Sequence, residues 1–190
     1  MLNCSNNKYK TLSLIVIFSL FSTATWGKQF SSTIQNIDIK LNNSWYQLNA
    51  DLVYKLSPTA KEALQKGIPL TWHLLVNVKQ KGLFWDESVQ AFEITCRIKK
   101  NTLLNLYQVT KVNKGKTEIF STLKAALNFM SKVRSFQLLK KQSMQAGQHY
   151  FVAIKVLFNR EALPIPLRPL SYFNSEWALS SPWVLWPLQN

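Results

Sequence analysis

The stretch from Leu70 to Lys100, "LTWHLLVNVKQKGLFWDESVQAFEITCRIKK", decides the fold. Leu70, Trp72, Leu74, Val76 and Val78 occupy every second position, with Thr71, His73, Leu75 and Asn77 between them. A period of two is the mark of a strand with one face in the core. "KQKG", Lys79 to Gly82, then reverses the chain, and the pattern repeats with Phe92, Ile94, Cys96 and Ile98 inward and Glu93, Thr95, Arg97 and Lys99 outward. An antiparallel sheet with one wet face requires such alternation.

The same rhythm extends on both sides. Ile34, Ile37, Ile39 and Leu41, then Trp45, Leu48, Leu52 and Tyr54, flank the turn Asn42 to Ser44, with irregular spacing that predicts a bulge near Asn36 or Asn49. "LLNLYQVTKV" (residues 103–112) is a further strand ending in the turn "NKGK", and "RSFQLLKK" and "HYFVAIKVLF" are two more across a turn that contains Gly147. Two segments change period. In Ser57 to Lys66, Ser57 is placed to cap, Pro58 suits the first helical position and Gly67 suits the left-handed end. In Ser121 to Val133, Leu123, Ala126, Leu127, Met130 and Val133 recur at three and four, which predicts an amphipathic helix whose apolar face packs on the core.

"ALPIPLRPL" (residues 162–170) holds three prolines and is expected to be extended and non-helical, an edge or a cover. The tail "SEWALSSPWVLWPLQN" is broken by Pro182 and Pro187, so it does not form a membrane stem. Trp177, Leu179, Trp183 and Leu185 instead suggest a last edge strand that buries Trp177 and Trp183, leaving Trp186 to face a partner. The expected fold is mainly β, an antiparallel sandwich of roughly seven or eight strands with two short helices, immunoglobulin-like as the first arrangement. The alternative is an α+β protein with both helices on one face of an antiparallel sheet.

Composition sets the class. With 47% hydrophobic residues, 13% aromatic, and only five glycines and seven prolines, the chain has material for a core and is not disordered. Lys8 and Lys10 precede the apolar run Thr11 to Phe21, and small residues follow at Ser22 to Ala24. That is the order of a secretory signal peptide over residues 1–27, with cleavage after Ala24 or Gly27, and a single domain over 28–190. The run falls short of the ~20 residues a spanning helix needs. An uncleaved leader would serve as an inner-membrane anchor with the domain facing the periplasm.

The expected location is therefore periplasmic or exported. The formal charge is +14, and loss of Lys8 and Lys10 leaves 21 basic against 9 acidic residues, or +12. For an exported protein this balance either serves solubility alone or points to anionic lipid, an acidic glycan or an acidic envelope protein as partner, and not to nucleic acid.

Catalytic chemistry finds little material. His73 and His149 lie far apart and Cys96 is the one cysteine of the mature chain, so no metal-ligand spacing and no internal disulfide arise. Cys96 falls on the inward face, where a thiol is inert. No phosphate loop, dinucleotide fingerprint or nucleophile elbow is present. No catalytic residue, cofactor or metal is assigned, and a non-catalytic binding or interaction module is the reading that fits, with a lipid-contacting protein next and a hydrolase of an envelope polymer last.

"GLFWDE" (residues 82–87) has more character. Phe84 and Trp85 sit on a hairpin connection beside Asp86, and the two rings are expected to fold back over the end of the sandwich, with a partner-binding tip as the alternative. Lysines gather near strand ends, among them Lys79, Lys81, Lys99, Lys100, Lys111, Lys114 and Lys116, and stacked hairpins would bring some of them into one basic rim. The residues singled out for partner contact are Phe84, Trp85, Asp86, Trp186, Lys99, Lys100 and Lys114.

Taken in order, the leader, "EALQKGIPL" (62–70), Trp85–Asp86, "FSTLKAAL" (120–127), "LPIPLRP" (163–169) and "WALSSPW" (177–183) resemble the proteobacterial family of exported proteins known only as a domain of unknown function, numbered forty-three ninety. The likeness covers most of the mature chain. It implies an exported location and a shared fold, and it brings no activity, cofactor or catalytic residue. The family pattern has more aromatics before its Trp-Asp pair, where this chain has Leu83 and Phe84.

Overall fold

The two alternating runs of Leu70 to Lys100 form the centre of the molecule. In the computed structural model, which describes residues 30–112 and 115–188, they are β3 (Leu70–Gln80) and β4 (Glu87–Asn101), paired antiparallel from Leu70↔Ile98 to Gln80↔Glu87. The leader and Lys114 lie outside the described residues. Upstream stand β1 (Ser32–Asn42), β2 (Trp45–Tyr54) and the helix α1 (Pro58–Gln65). Downstream come β5 (Leu106–Lys111), β6 (Lys116–Phe120), α2 (Leu123–Ser131), β7 (Lys132–Lys140), β8 (Tyr150–Phe158), α3 (Leu167–Phe173) and β9 (Val184–Leu188).

The strands make two antiparallel sheets, β1-β2-β7 and β6-β5-β4-β3-β8-β9, which share one core. The protein is thus a mainly β sandwich. Its three-plus-six order, with β3 to β6 in simple succession, differs from the four-plus-three Greek key of immunoglobulin domains. Leu48, Leu70, Trp72, Ile98, Ile154 and Leu179 are fully enclosed between the layers. Each such side chain contributes ~1.5–3 kcal/mol by leaving water. Among the described residues no helix is long and apolar enough to cross a membrane.

A bulge is present at each of the two places offered for one. The β1–β2 register shifts between Gln35 and Asp38, where Asn36 takes a φ of 50°, and the β2–β7 register shifts between Leu48 and Ala50. Asn49 Oδ1 accepts a bond from the Ser135 N–H at 3.0 Å, and Ser135 is itself left-handed at φ 47°. The α1 helix follows the sequence closely. Ser57 Oγ accepts from Ala60 N–H at 3.0 Å, and at the far end Gly67 (φ 83°) and Ile68 donate back to Leu64 and Ala63. That closing pair is a Schellman motif, which needs the glycine's freedom at positive φ.

Four expectations are corrected. The α2 helix is capped not by Ser121, the cap its sequence suggests, but by Thr122, whose Oγ1 accepts from Ala125 N–H at 3.2 Å, and it stops at Ser131, so Val133 is a buried strand residue. The helical spacing of Val133 coincides with the first inward position of β7, and periodicity alone does not separate the two.

The proline run is not wholly extended: residues 167–173 form α3, with Pro166 already helical at the cap and Pro169 in the first turn. First-turn N–H groups have no intrahelical partner, so proline removes nothing there. The turn at Gly147 (φ 79°) does not join a hairpin either, because β7 pairs with β2 while β8 pairs with β3, and the connection crosses from one sheet to the other.

In the tail, Trp177 and Leu179 are buried as expected, but Trp183 is 45% exposed, with Lys155 Nζ 5.5 Å from its ring centre. At Pro182 the alternation slips by one. Trp186 pairs with Val152 and Leu188 with Tyr150, so the even positions of β9 share the face of the buried β8 residues. A one-residue slip moves every side chain of a strand to the opposite face.

Candidate functional site

Strand lengths create the site. β4 pairs with β3 along its full length, yet β5 meets it only from Cys96 to Asn101, so among the described residues Glu87 to Thr95 has no partner strand on its outer side. β7 is the outer strand of the smaller sheet. Between these two open edges lies a cavity of about 480 Å³. Its walls include Leu52, Trp72, Leu74, Ile94, Cys96 and Met130. Phe92 of β4 and Phe136 of β7 meet across it edge to face, with ring centres 5.1 Å apart.

The polar lining is mostly cationic: Lys111, Lys132 and Arg134 against Glu93. Arg134 is fixed by three bonds, from Nη1 to the carbonyls of Ala50 and Val133 at 2.8 Å and from Nη2 to Asp51 Oδ1 at 2.6 Å. Lys132 Nζ donates to the same carboxylate oxygen at 3.1 Å. Hydrogen bonds from Asn36, Arg134 and Lys132 hold the Asp51 carboxyl well below the usual carboxylate range. Glu93 is turned toward His73, with 2.6 Å from Oε1 to Nδ1. Lys111 Nζ stands 4.6 Å from the centre of the Phe129 ring.

At the inner end of the cavity an aromatic series passes into the core. Tyr54 lies edge-on to Trp72 at 5.3 Å, Trp72 meets Phe158 at 5.2 Å, and Phe158 stacks on Trp177 at 5.8 Å. Burial pushes the Tyr54 hydroxyl upward and keeps it neutral, and burial likewise raises the Cys96 thiol. The buried Trp72 indole N–H finds no acceptor among the described residues. The remaining histidine candidate, His73, bonds Thr95 Oγ1 at 3.0 Å through Nδ1 and Asn159 at 2.8 Å through Nε2. Both ring nitrogens are engaged. Among the described residues no three His, Cys, Asp or Glu side chains converge on a point that could hold a metal.

The residues singled out in the sequence do not converge. Phe84 and Trp85 do not fold back: they are 84% and 80% exposed, beside Leu83 at 92% and an exposed Asp86. Gly82 explains the posture, since a Cβ there would stand 2.0 Å from the Trp85 carbonyl oxygen, and the turn is too tight for any other residue. Trp186 is two strands away on β9 and 40% exposed.

Among the described residues these lysines do not gather into one rim. Lys79 and Lys81 flank the β3–β4 turn, Lys99 and Lys100 lie at the other end of β4, and Lys111 and Lys116 pair level with Cys96. The strands are of unequal length, so equivalent sequence positions fall at different heights. Lys100 donates to the Gln65 side chain and lies over the Tyr107 ring at 5.8 Å. The inter-sheet cavity itself was not marked by any motif. Its only sequence signal is the contrast between a long β4 run and a short β5 run, followed by cations in "KVRSF".

Fold and site together define a two-sheet β sandwich with one open flank and an apolar inter-sheet cavity under cations. The chain belongs to the family described as domain of unknown function (DUF4390), whose model matches residues 31–187. Neither a curated protein nor a solved structure matches it.

Proposed function

We propose that the protein is an exported, non-catalytic binding module of the cell envelope whose inter-sheet cavity holds an apolar chain ending in an anionic group. The observation that carries this reading is the pairing of apolar walls with the cations Lys111, Lys132 and Arg134. At about 480 Å³ the cavity falls in the ~300–1,000 Å³ range of small-molecule sites. Arg has five donors and Lys three, so Arg134 and Lys132 can each donate to a ligand carboxylate or phosphate while keeping Asp51. A raised Cys96 thiol and a fully engaged His73 supply no activated nucleophile or free base, which favours binding over catalysis. Export rests on the leader and is read by the mass of the periplasmic chain, which should begin at Thr25 or Lys28.

The test is titration of the mature protein with a dansyl-labelled fatty acid. Saturable one-to-one binding is expected, displaced by palmitate and far less by hexadecanol, and lost in Leu74→Trp, which fills the cavity. Circular dichroism verifies that this variant keeps its fold. Absence of saturable binding by the wild-type protein would refute the reading.

A further inference from the structure

We infer that the β3–β4 tip, Leu83–Phe84–Trp85, is an insertion site for the interface of an anionic lipid bilayer. Three consecutive large apolar side chains stand 92%, 84% and 80% exposed at the end of a hairpin. The Phe84 and Trp85 rings lie 6.1 Å apart and tilted, so they present one surface. The close approach of Gly82 to the Trp85 carbonyl fixes the turn that displays them.

The surroundings carry the matching charge. Hydrogen bonds from Lys81 N–H to the His149 carbonyl (2.8 Å), from Tyr150 Oη to Gln80 (3.1 Å), from Gln145 N–H to Tyr150 Oη (3.0 Å) and from Lys141 N–H to the Ser44 carbonyl (2.9 Å) gather three loops at this end. Lys79 comes from β3 and Lys81 from the turn after it, Lys140 from the end of β7 and Lys141 from the β7–β8 connection, against the carboxylates Asp86 and Glu87. Four lysines face two acids. Lys140 also covers Trp45 at 5.2 Å, which adds an aromatic ring to the same end. Tryptophan and phenylalanine at headgroup depth, with lysines reaching the phosphates, are the elements of interfacial binding.

Flotation of the mature protein with phosphatidylcholine vesicles, with and without phosphatidylglycerol, tests this. Flotation is expected only with the anionic vesicles, falling several-fold as salt rises from low to physiological ionic strength. Leu83→Ser/Trp85→Ser should abolish it while melting at the wild-type temperature, and brominated lipid should quench tryptophan emission in the wild type but not in this variant. The cavity-filled Leu74→Trp should float as the wild type does, which separates this contact from ligand binding. No flotation with either vesicle, or flotation unchanged in the double variant, would overturn the inference. Capture of an envelope protein through the tip without flotation would also overturn it.

Discussion

Phe158 of β8 and Trp177 lie stacked, with ring centres 5.8 Å apart and planes 18° from parallel, so the tail is part of the core and closes one end of the sandwich. Ser180 and Ser181 extend this attachment, because their hydroxyls accept from the Phe158 and Val156 N–H groups at 2.9 and 2.8 Å, where β9 has not yet begun. Trp177→Ala should therefore lower stability by ~3–5 kcal/mol, the usual range for emptying a buried aromatic site. Deletion of Ser175 to Asn190 should unfold the domain. Urea titration followed by circular dichroism measures both, and a truncated chain with an unchanged cooperative transition would show that the stack is dispensable.

At the other end, Gly82→Ala should rebuild the tip without unfolding the protein. Its Cβ would meet backbone, 2.0 Å from the Trp85 carbonyl oxygen, and no side-chain adjustment relieves that clash. The loss expected is ~1–3 kcal/mol, since neighbouring residues 83–87 are exposed and free to move. Hydrogen exchange should change over residues 81–87 and stay as in the wild type along β8.

How far these features were legible follows from what each depends on. The inward positions of β3, the Ser57 cap and the Gly67 terminus are set within a few residues, and alternation or capping chemistry displays them directly. Residues 177 to 185 are in phase when read as one strand, and the slip at Pro182 that reverses the face of Trp183 has no local signal. The α3 helix is hidden in a proline run because proline excludes helix only beyond the first turn. The cavity depends on where β5 stops relative to β4 and on which edges face each other, relations between segments that no local pattern encodes.

Asp51 gives a pH signature. Its folded-state pKa is depressed by Asn36, Arg134 and Lys132, so its contribution is fully present above the unfolded carboxylate value of ~3.9 and is lost as pH falls below that toward the folded value. Asp51→Asn should lower stability at pH 7 by releasing Arg134 and Lys132. It should also flatten the decline of the urea midpoint below about pH 4, relative to the wild type. An equal acid decline in both proteins would assign the acid sensitivity to other carboxylates.

Cys96 reports on the cavity from within. Its side chain lines the apolar wall, it is 7% exposed, and burial keeps its thiol protonated. The nucleophile in thiol modification is the thiolate, so the native mature chain should react with Ellman's reagent far more slowly at pH 8 than the same chain in concentrated urea. A small uncharged reagent such as methyl methanethiosulfonate should reach the thiol sooner than the doubly anionic Ellman's reagent, because the thiol lines a largely apolar space. A bound fatty acid should slow both reagents further, while one added to Leu74→Trp, whose cavity is filled, should leave the rate unchanged. Rates that do not respond to ligand in the wild-type protein would place the fatty acid outside the inter-sheet cavity.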